Sequence, residues 1–310
     1  VPEYRYLHYD VFTDTRFEGN ALAVLPDARG LSTEQMQAIT AEMAFSETTF
    51  ILPAEGSEMD VRMRIFTPGT ELPMAGHPTI GSTFALAREG MIRPGTERFV
   101  FGLGVGPTPV DLSWEGDALS FAWMTQRPPE FGPTFEDPGA LAEITRAVGL
   151  EPDDLSPASP VQIVSTGVPF GYLPIRTREA VDRAAPDLAA MREVREAHGL
   201  EHYYLFTMEP SSLLEPEVSV QETTYSRMFA PLLGVVEDPA TGGACGPLGG
   251  YLVRYGLVLP EQAGEILNLQ GAAMGRPSWI SIDVSGNPEE IGPVRVGGRS
   301  VLVATGTLEV

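Results

Sequence analysis

Two stretches decide the architecture: RIFTPGTELPMAGHPTIGSTFALARE at 64–89 and RMFAPLLGVVEDPATGGACGPLGGYLVR at 227–254. Arg64, Phe66 and Pro68 match Arg227, Phe229 and Pro231 at an offset of 163, and Glu71, Pro73 and Gly76 match Glu237, Pro239 and Gly242 at 166. In each copy a strand feeds a Pro/Gly-rich turn, and the turn feeds a helix. Order and local structure agree as well as identity, so the chain reads as an internal duplication. A pseudo-twofold relation between two domains is the expectation that follows.

Working outward, the strand signals are dense and the helical ones sparse. Asp60–Phe66 (DVRMRIF) alternates polar and apolar residues, the mark of a half-buried strand. Similar patterns predict strands over Arg5–Phe12, Ala21–Leu25, Thr48–Leu52, Val161–Val164, Tyr203–Met208, Ser278–Val284 and Ser300–Thr305. Ser32 is a good N-cap for a helix over Thr33–Glu42, and Gln35 completes a capping box. Pro138–Val148 and Asp187–Ala197 read as further helices. Between Met124 and Gly139 the segment MTQRPPEFGPTFEDPG has no sustained periodicity and reads as the linker between two halves.

The duplicated turns carry the functional argument. A helix start presents unpaired N–H groups and the positive end of the macrodipole. Pro78 suits a first helical turn, and Gly76, Gly242 and Gly243 let a backbone approach a ligand closely. Two such turns facing each other would line a cleft with donors on both walls, suited to a substrate carboxylate.

Composition narrows the chemistry. The 310 residues hold 42 acidic and 20 basic side chains, a net charge of −22, and every basic residue is arginine. With no lysine there is no Schiff-base chemistry and no P-loop lysine. The negative charge disfavours nucleic acid and anionic membranes as partners. The single cysteine, Cys245, excludes an intramolecular disulfide, and the scattered His8, His77, His198 and His202 give no zinc spacing. The polar, strand-like start VPEYRYLHYDVF is unlike a signal peptide, and no apolar run approaches the roughly 18 residues of a spanning helix. A soluble cytoplasmic protein is the expectation.

At these residues the sequence resembles the phenazine-biosynthesis PhzF-like family, in the fold group of diaminopimelate epimerase and proline racemase. The segments that carry the resemblance are FEGNALAVLP (17–26), AEMAFSETTFIL (41–52), both copies of the repeat, STGVPF (165–170), QGAAMGRPSWISI (270–282) and VRVGGRSVLVATG (294–306). The resemblance covers essentially the whole chain. It implies an α+β fold of two pseudo-symmetric domains, each a curved, barrel-like sheet around a central helix, with the active site in the cleft between them. The domains would be 1–125, joined by a last strand at 297–310, and 126–296. It also implies an isomerase working without cofactor or metal on a small cyclic or conjugated carboxylic acid, and a homodimer.

The family's acid/base set maps onto Glu47 in SET, His77 in AGHP and Asp238 in EDPATG. Asn20, Ser46, Gly76, Gly242 and Gly243 are the positions matched to substrate binding. Glu47 would take a proton from one carbon and return it to another, while His77 and Asp238 orient the substrate. A carboxylate does this at neutral pH when a dry setting lifts its pKa from about 4.3 toward 6–7. Apolar Ala44-Phe45 and the strand TFIL offer Glu47 that setting. Two departures stand out. Gly19-Asn20-Ala21 replaces the family's usual GNP, and DPATGG replaces DPATGS, so Gly243 lacks a hydroxyl. Two other readings stay open: a racemase or epimerase of amino or hydroxy acids, and a homologue that binds a metabolite or protein without turning it over. Thiol-type racemases need two cysteines, and Ala75 stands where the first would be, with Cys245 read inside a helix.

Overall fold

Eighteen strands and six α-helices follow one another in a computed structural model that describes residues 1–209 and 223–310. The first half runs β1 (Glu3–Val11), β2 (Asn20–Leu25), α1 (Thr33–Met43), β3 (Glu47–Pro53), β4 (Val61–Phe66), β5 (Glu71–Leu72), α2 (Gly76–Arg88), β6 (Arg98–Leu103), β7 (Gly106–Glu115) and β8 (Ala118–Gln126). The second runs β9 (Glu130–Phe135), α3 (Pro138–Arg146), β10 (Val161–Ser165), β11 (Pro169–Pro174), α4 (Arg178–Arg183), α5 (Leu188–His198), β12 (Tyr203–Thr207), β13 (Thr224–Ala230) and β14 (Val235–Asp238). It continues through α6 (Gly242–Arg254), β15 (Ile266–Gln270), β16 (Ser278–Gly286), β17 (Ile291–Gly298) and β18 (Ser300–Glu309). Two compact units result: Val1–Thr125 with Val296–Val310, and Gln126–Arg295.

The duplication is visible in the strand pairing of each unit. In the first, β1–β2 is antiparallel, β2–β3 parallel, β3–β4 and β4–β5 antiparallel, β4–β6 parallel and β6–β7 antiparallel. In the second, β10–β11 is antiparallel, β11–β12 parallel, β12–β13 and β13–β14 antiparallel, β13–β15 parallel and β15–β16 antiparallel. The pattern is the same six pairings in the same order. The insertion in the second copy becomes a single 3-10 turn, Pro231–Leu233, closed by Gly234 at φ 85°.

Each unit packs its own helix against its strands, α2 against β1, β2, β3 and β18 and α6 against β10 and β16. Every residue of α2 from Gly76 to Leu86 is buried, as are nearly all of α6 from Gly242 to Val253, the pattern of a helix enclosed on all sides. Close approach needs glycine: a Cβ on Gly81 would stand 2.6 Å from Leu22 and Val11, and one on Gly249 would stand 2.5 Å from Ile282. The period-two rule sorts the strand side chains of the second unit. Tyr172 faces α6, donating to the Ala244 carbonyl at 2.6 Å, while its neighbour Leu173 joins a separate core with Ile144 of α3 and Met191 of α5. In the first unit, α1 covers a smaller core of Leu25, Phe50 and Phe66. Its start has the capping box read from the sequence, with Ser32 and Gln35 exchanging bonds at 3.2 and 2.9 Å.

The segment read as a featureless linker contains a strand. β9 (EFGPTF) pairs antiparallel with β10, from Glu130↔Ser165 to Phe135↔Val161, with a register shift on the way. Pro133 and Gly132 hid it, because both break strand periodicity; they fall at the register shift, where the missing N–H of a proline interrupts no regular ladder bond. Among the described residues no helix is long and apolar enough to cross a membrane.

Candidate active site

In the first unit four of the expected residues form one connected group. Gly19, at φ +64°, turns the chain into β2; a Cβ there would stand 2.3 Å from the Val11 carbonyl, so only glycine fits. That turn sets Asn20 at the head of β2, fully buried. Helix α1 ends on Ala44 in the left-handed region, φ 54°, which swings Ser46 and Glu47 onto the start of β3 beside Leu22. His77 enters from the first turn of α2, directly after Gly76.

The contacts within the group run in one direction. Ser46 Oγ donates to Asn20 Oδ1 at 2.8 Å, which turns the Asn20 amide nitrogen toward His77 Nδ1 at 3.3 Å. An amide nitrogen can only donate, so Nδ1 is the acceptor and the ring hydrogen sits on Nε2. Nε2 lies 3.1 Å from Glu47 Oε2, without the alignment of a formed hydrogen bond. The side chains of His77 and Glu47 are 5% and 15% exposed. Burial pushes the His77 pKa down to about 3, so its imidazole is neutral at neutral pH. A neutral ring sets no positive charge beside the Glu47 carboxylate.

In the second unit Asp238 ends β14, 8% exposed, three residues before the helix-capping position Thr241. Thr241 Oγ1 donates to Asp238 Oδ2 at 2.6 Å. Gly242 opens α6, and its carbonyl accepts from Gln126 Nε2 at 2.9 Å; Gln126 Oε1 in turn accepts from Thr166 at 2.7 Å. A Cβ on Gly243 would meet nothing within 4 Å, so the missing serine is not a steric necessity.

Sequence reasoning did not single out Gln126, Thr166, Thr241 or Gln270 as functional neighbours. The glutamines lie far along the chain from the residues they touch, and no local pattern announces a buried amide. The last three nevertheless stand inside quoted motifs: Thr166 in STGVPF, Thr241 in DPATGG and Gln270 in QGAAMG. Cys245 sits in α6 with no exposure, touching Tyr204 and Asn268, and burial pushes its thiol up to about 12. That is a core position and not a reactive thiolate. Among the described residues no three His, Cys, Asp or Glu side chains cluster in a way that would hold a metal ion.

Comparison with known proteins shows the family and the fold. The family model for phenazine biosynthesis-like proteins, PhzC-PhzF, matches residues 9–306. An uncharacterized isomerase of Clostridium acetobutylicum is 34% identical over 98% of this chain and 97% of its own. The trans-2,3-dihydro-3-hydroxyanthranilate isomerase of Pseudomonas fluorescens is 32% identical over 98% of this chain and 99% of its own. The crystal structure of a PhzF-family phenazine biosynthesis protein from Bacillus anthracis superposes with a TM-score of 0.85, at 25% identity and full coverage of both chains. The fold is also that of proline racemase-like proteins. The duplicated topology, the SET and AGHP residues it brings together and the whole-length match lead to one conclusion: this chain belongs to the PhzC-PhzF family and is an isomerase.

Proposed function

We propose that this isomerase moves a proton between two carbons of a small cyclic or conjugated carboxylic acid, with Glu47 as the group that takes and returns it. The observation that carries the reading is the directed run Ser46–Asn20–His77, whose neutral, buried imidazole lies 3.1 Å from the Glu47 carboxylate. Proton removal from a carbon next to a double bond leaves negative charge spread toward the carboxylate. Backbone N–H groups at the start of α2, near Gly76 and His77, supply fixed donors for it. Glu47 Oε2, held near Nε2–H of His77, then gives the proton back at the other end of the conjugated system. Asp238 is the second acidic group of the reaction, with its turn of Gly242 and Gly243 binding a polar end of the substrate through backbone donors. Relatives named trans-2,3-dihydro-3-hydroxyanthranilate isomerases suggest dihydroaromatic amino acids of that type as the first substrates to try.

The test is turnover of that compound in D2O, followed by NMR. Wild-type protein shifts the double-bond pattern and carries solvent deuterium into the product carbon. Glu47→Gln keeps the shape but cannot accept a proton, and its rate falls by about 10³-fold, within the range for loss of a general acid/base. Wild-type turnover by Glu47→Gln removes Glu47 from the mechanism. Deuterium entering a stereocentre with the double bonds unmoved would make the enzyme an epimerase instead.

A further inference from the structure

A buried amide stands behind Asp238. Gln270 closes β15 with no exposure, and all four of its hydrogen-bonding positions are used within the second unit. Its Nε2 donates to the Asp238 carbonyl at 2.8 Å and to Thr241 Oγ1 at 2.9 Å. Its Oε1 accepts from the Thr241 backbone N–H at 3.2 Å and from the Tyr204 hydroxyl at 3.0 Å. This orientation has no alternative. A flipped amide would set its oxygen against a carbonyl and its NH2 against a backbone N–H, two contacts with no shared hydrogen.

The direction of the remaining bonds follows. Thr241 Oγ1 receives a hydrogen from Gln270, so its own hydrogen is free to go to Asp238 Oδ2, which it does at 2.6 Å. Tyr204 is held in turn by Asn268 Nδ2 at 3.1 Å, and Asn268 Oδ1 accepts from Thr224 and Ser226 at 2.8 and 2.9 Å. The backbone makes room for this arrangement. Gly271, at φ +74°, lets the Pro239 carbonyl come within 2.5 Å of where a Cβ would stand. The end of β15 and the 238–241 turn are therefore fitted to one another.

We propose that Gln270 is a positioning residue for Asp238: it fixes the Thr241 hydroxyl as a donor to one carboxylate oxygen and so sets the orientation of the carboxylate. This rests on the reading that Asp238 takes part in the isomerisation. Gln270 does not touch substrate; it acts through Thr241. Its amide N–H is what sets the direction, so replacing NH2 by a carboxylate oxygen reverses the arrangement. In Gln270→Glu, Oε1 still accepts from Thr241 N–H and Tyr204, but the Thr241 hydroxyl turns to the new oxygen and abandons Asp238.

The experiment combines kinetics with structure on the full chain. For Gln270→Glu and Thr241→Val, kcat on the dihydroaromatic substrate falls by about 10- to 100-fold with KM changed by less than about threefold. Thr241→Ser, which keeps the hydroxyl, stays within about threefold of wild type. A purely structural role predicts otherwise: lower thermal stability, with the folded protein turning over normally and Thr241→Ser no better than Thr241→Val. Either that pattern or unchanged kcat in Gln270→Glu overturns the proposal. Should Gln270→Glu fail to fold, the Thr241→Val and Thr241→Ser pair decides alone. Should wild type itself turn nothing over, the isomerisation reading fails separately. Crystal structures of wild type and Thr241→Val then judge the positioning claim: an Asp238 carboxylate with the same rotamer in both refutes it, and a displaced one supports it.

Discussion

Arg227 grips Glu237 with two parallel bonds, Nε to Oε1 at 2.8 Å and Nη2 to Oε2 at 2.7 Å, and its Nη1 donates to the carbonyls of Val181, Asp182 and Ala184. One guanidinium thus ties β13 to the residues leading into the site turn and closes the C-terminal end of α4. The other unit repeats the device: Arg64 holds Glu71 by two bonds of 2.7 Å, and each arginine lies over a phenylalanine two residues on, Phe66 at 5.0 Å and Phe229 at 4.7 Å. The repeated Arg, Phe and Glu of the sequence are the parts of this clamp.

The two copies differ in what their loss removes. Arg227→Met leaves Glu237 and three carbonyls without their donor in a mostly buried place, and should cost about 3 kcal/mol or more. Arg64→Met breaks a pair open to solvent on the Glu71 side and should cost about 1 kcal/mol. Urea unfolding monitored by circular dichroism checks the order; equal losses would contradict it.

His77 makes stability depend on pH. Its folded pKa is pushed down to about 3 by burial, below the ordinary 6.5, so the unfolded chain binds the proton that the native state refuses. The contribution is complete above about pH 6.5 and is lost as pH falls toward the folded value, at roughly 1 kcal/mol per pH unit. Unfolding curves at pH 7.5, 6 and 5 should show a steeper acid loss for wild type than for His77→Asn. Parallel losses would mean that the ring is protonated in place.

Gly243 and Gly249 give opposite results on substitution. A side chain at 243 enters open space on the first turn of α6, so Gly243→Ser should raise stability by about 0.5 kcal/mol. The same hydroxyl should tighten binding of a small carboxylate, read by calorimetry with anthranilate. Gly249→Ala drives a methyl to 2.5 Å from Ile282 and 2.7 Å from Val284, both branched and buried, and should cost about 1–3 kcal/mol.

Cys245 should be inert in the native protein. With no exposure and its thiol pushed up to about 12, it should resist a thiol reagent until denaturant is added, when one group labels. Cys245→Ala should keep turnover at a cost of about 1 kcal/mol in stability. Rapid labelling of folded protein, or loss of turnover in Cys245→Ala, would reopen thiol chemistry.

The sequence by itself determined the duplication, because Arg64, Phe66 and Glu71 recur as Arg227, Phe229 and Glu237 and each feeds a helix with buried residues on all sides. It determined the α1 capping box and most strands, since these are local and periodic. It also marked Asn20, Ser46, Glu47 and His77, through motifs whose family order could be matched. Tertiary structure alone decided that these four meet in one group, as residues 20, 46 and 77 are brought together only by strand pairing and the seating of α2. It alone revealed β9, whose glycine and proline, placed at a register shift, erase the periodicity that announces a strand. And it alone set Gln270 behind Asp238, because a hydrogen bond across 29 residues to Thr241 leaves no trace in local spacing. Local rules act over a turn or a strand; the hydrogen-bond directions that orient the Asp238 carboxylate exist only once distant backbones are fixed.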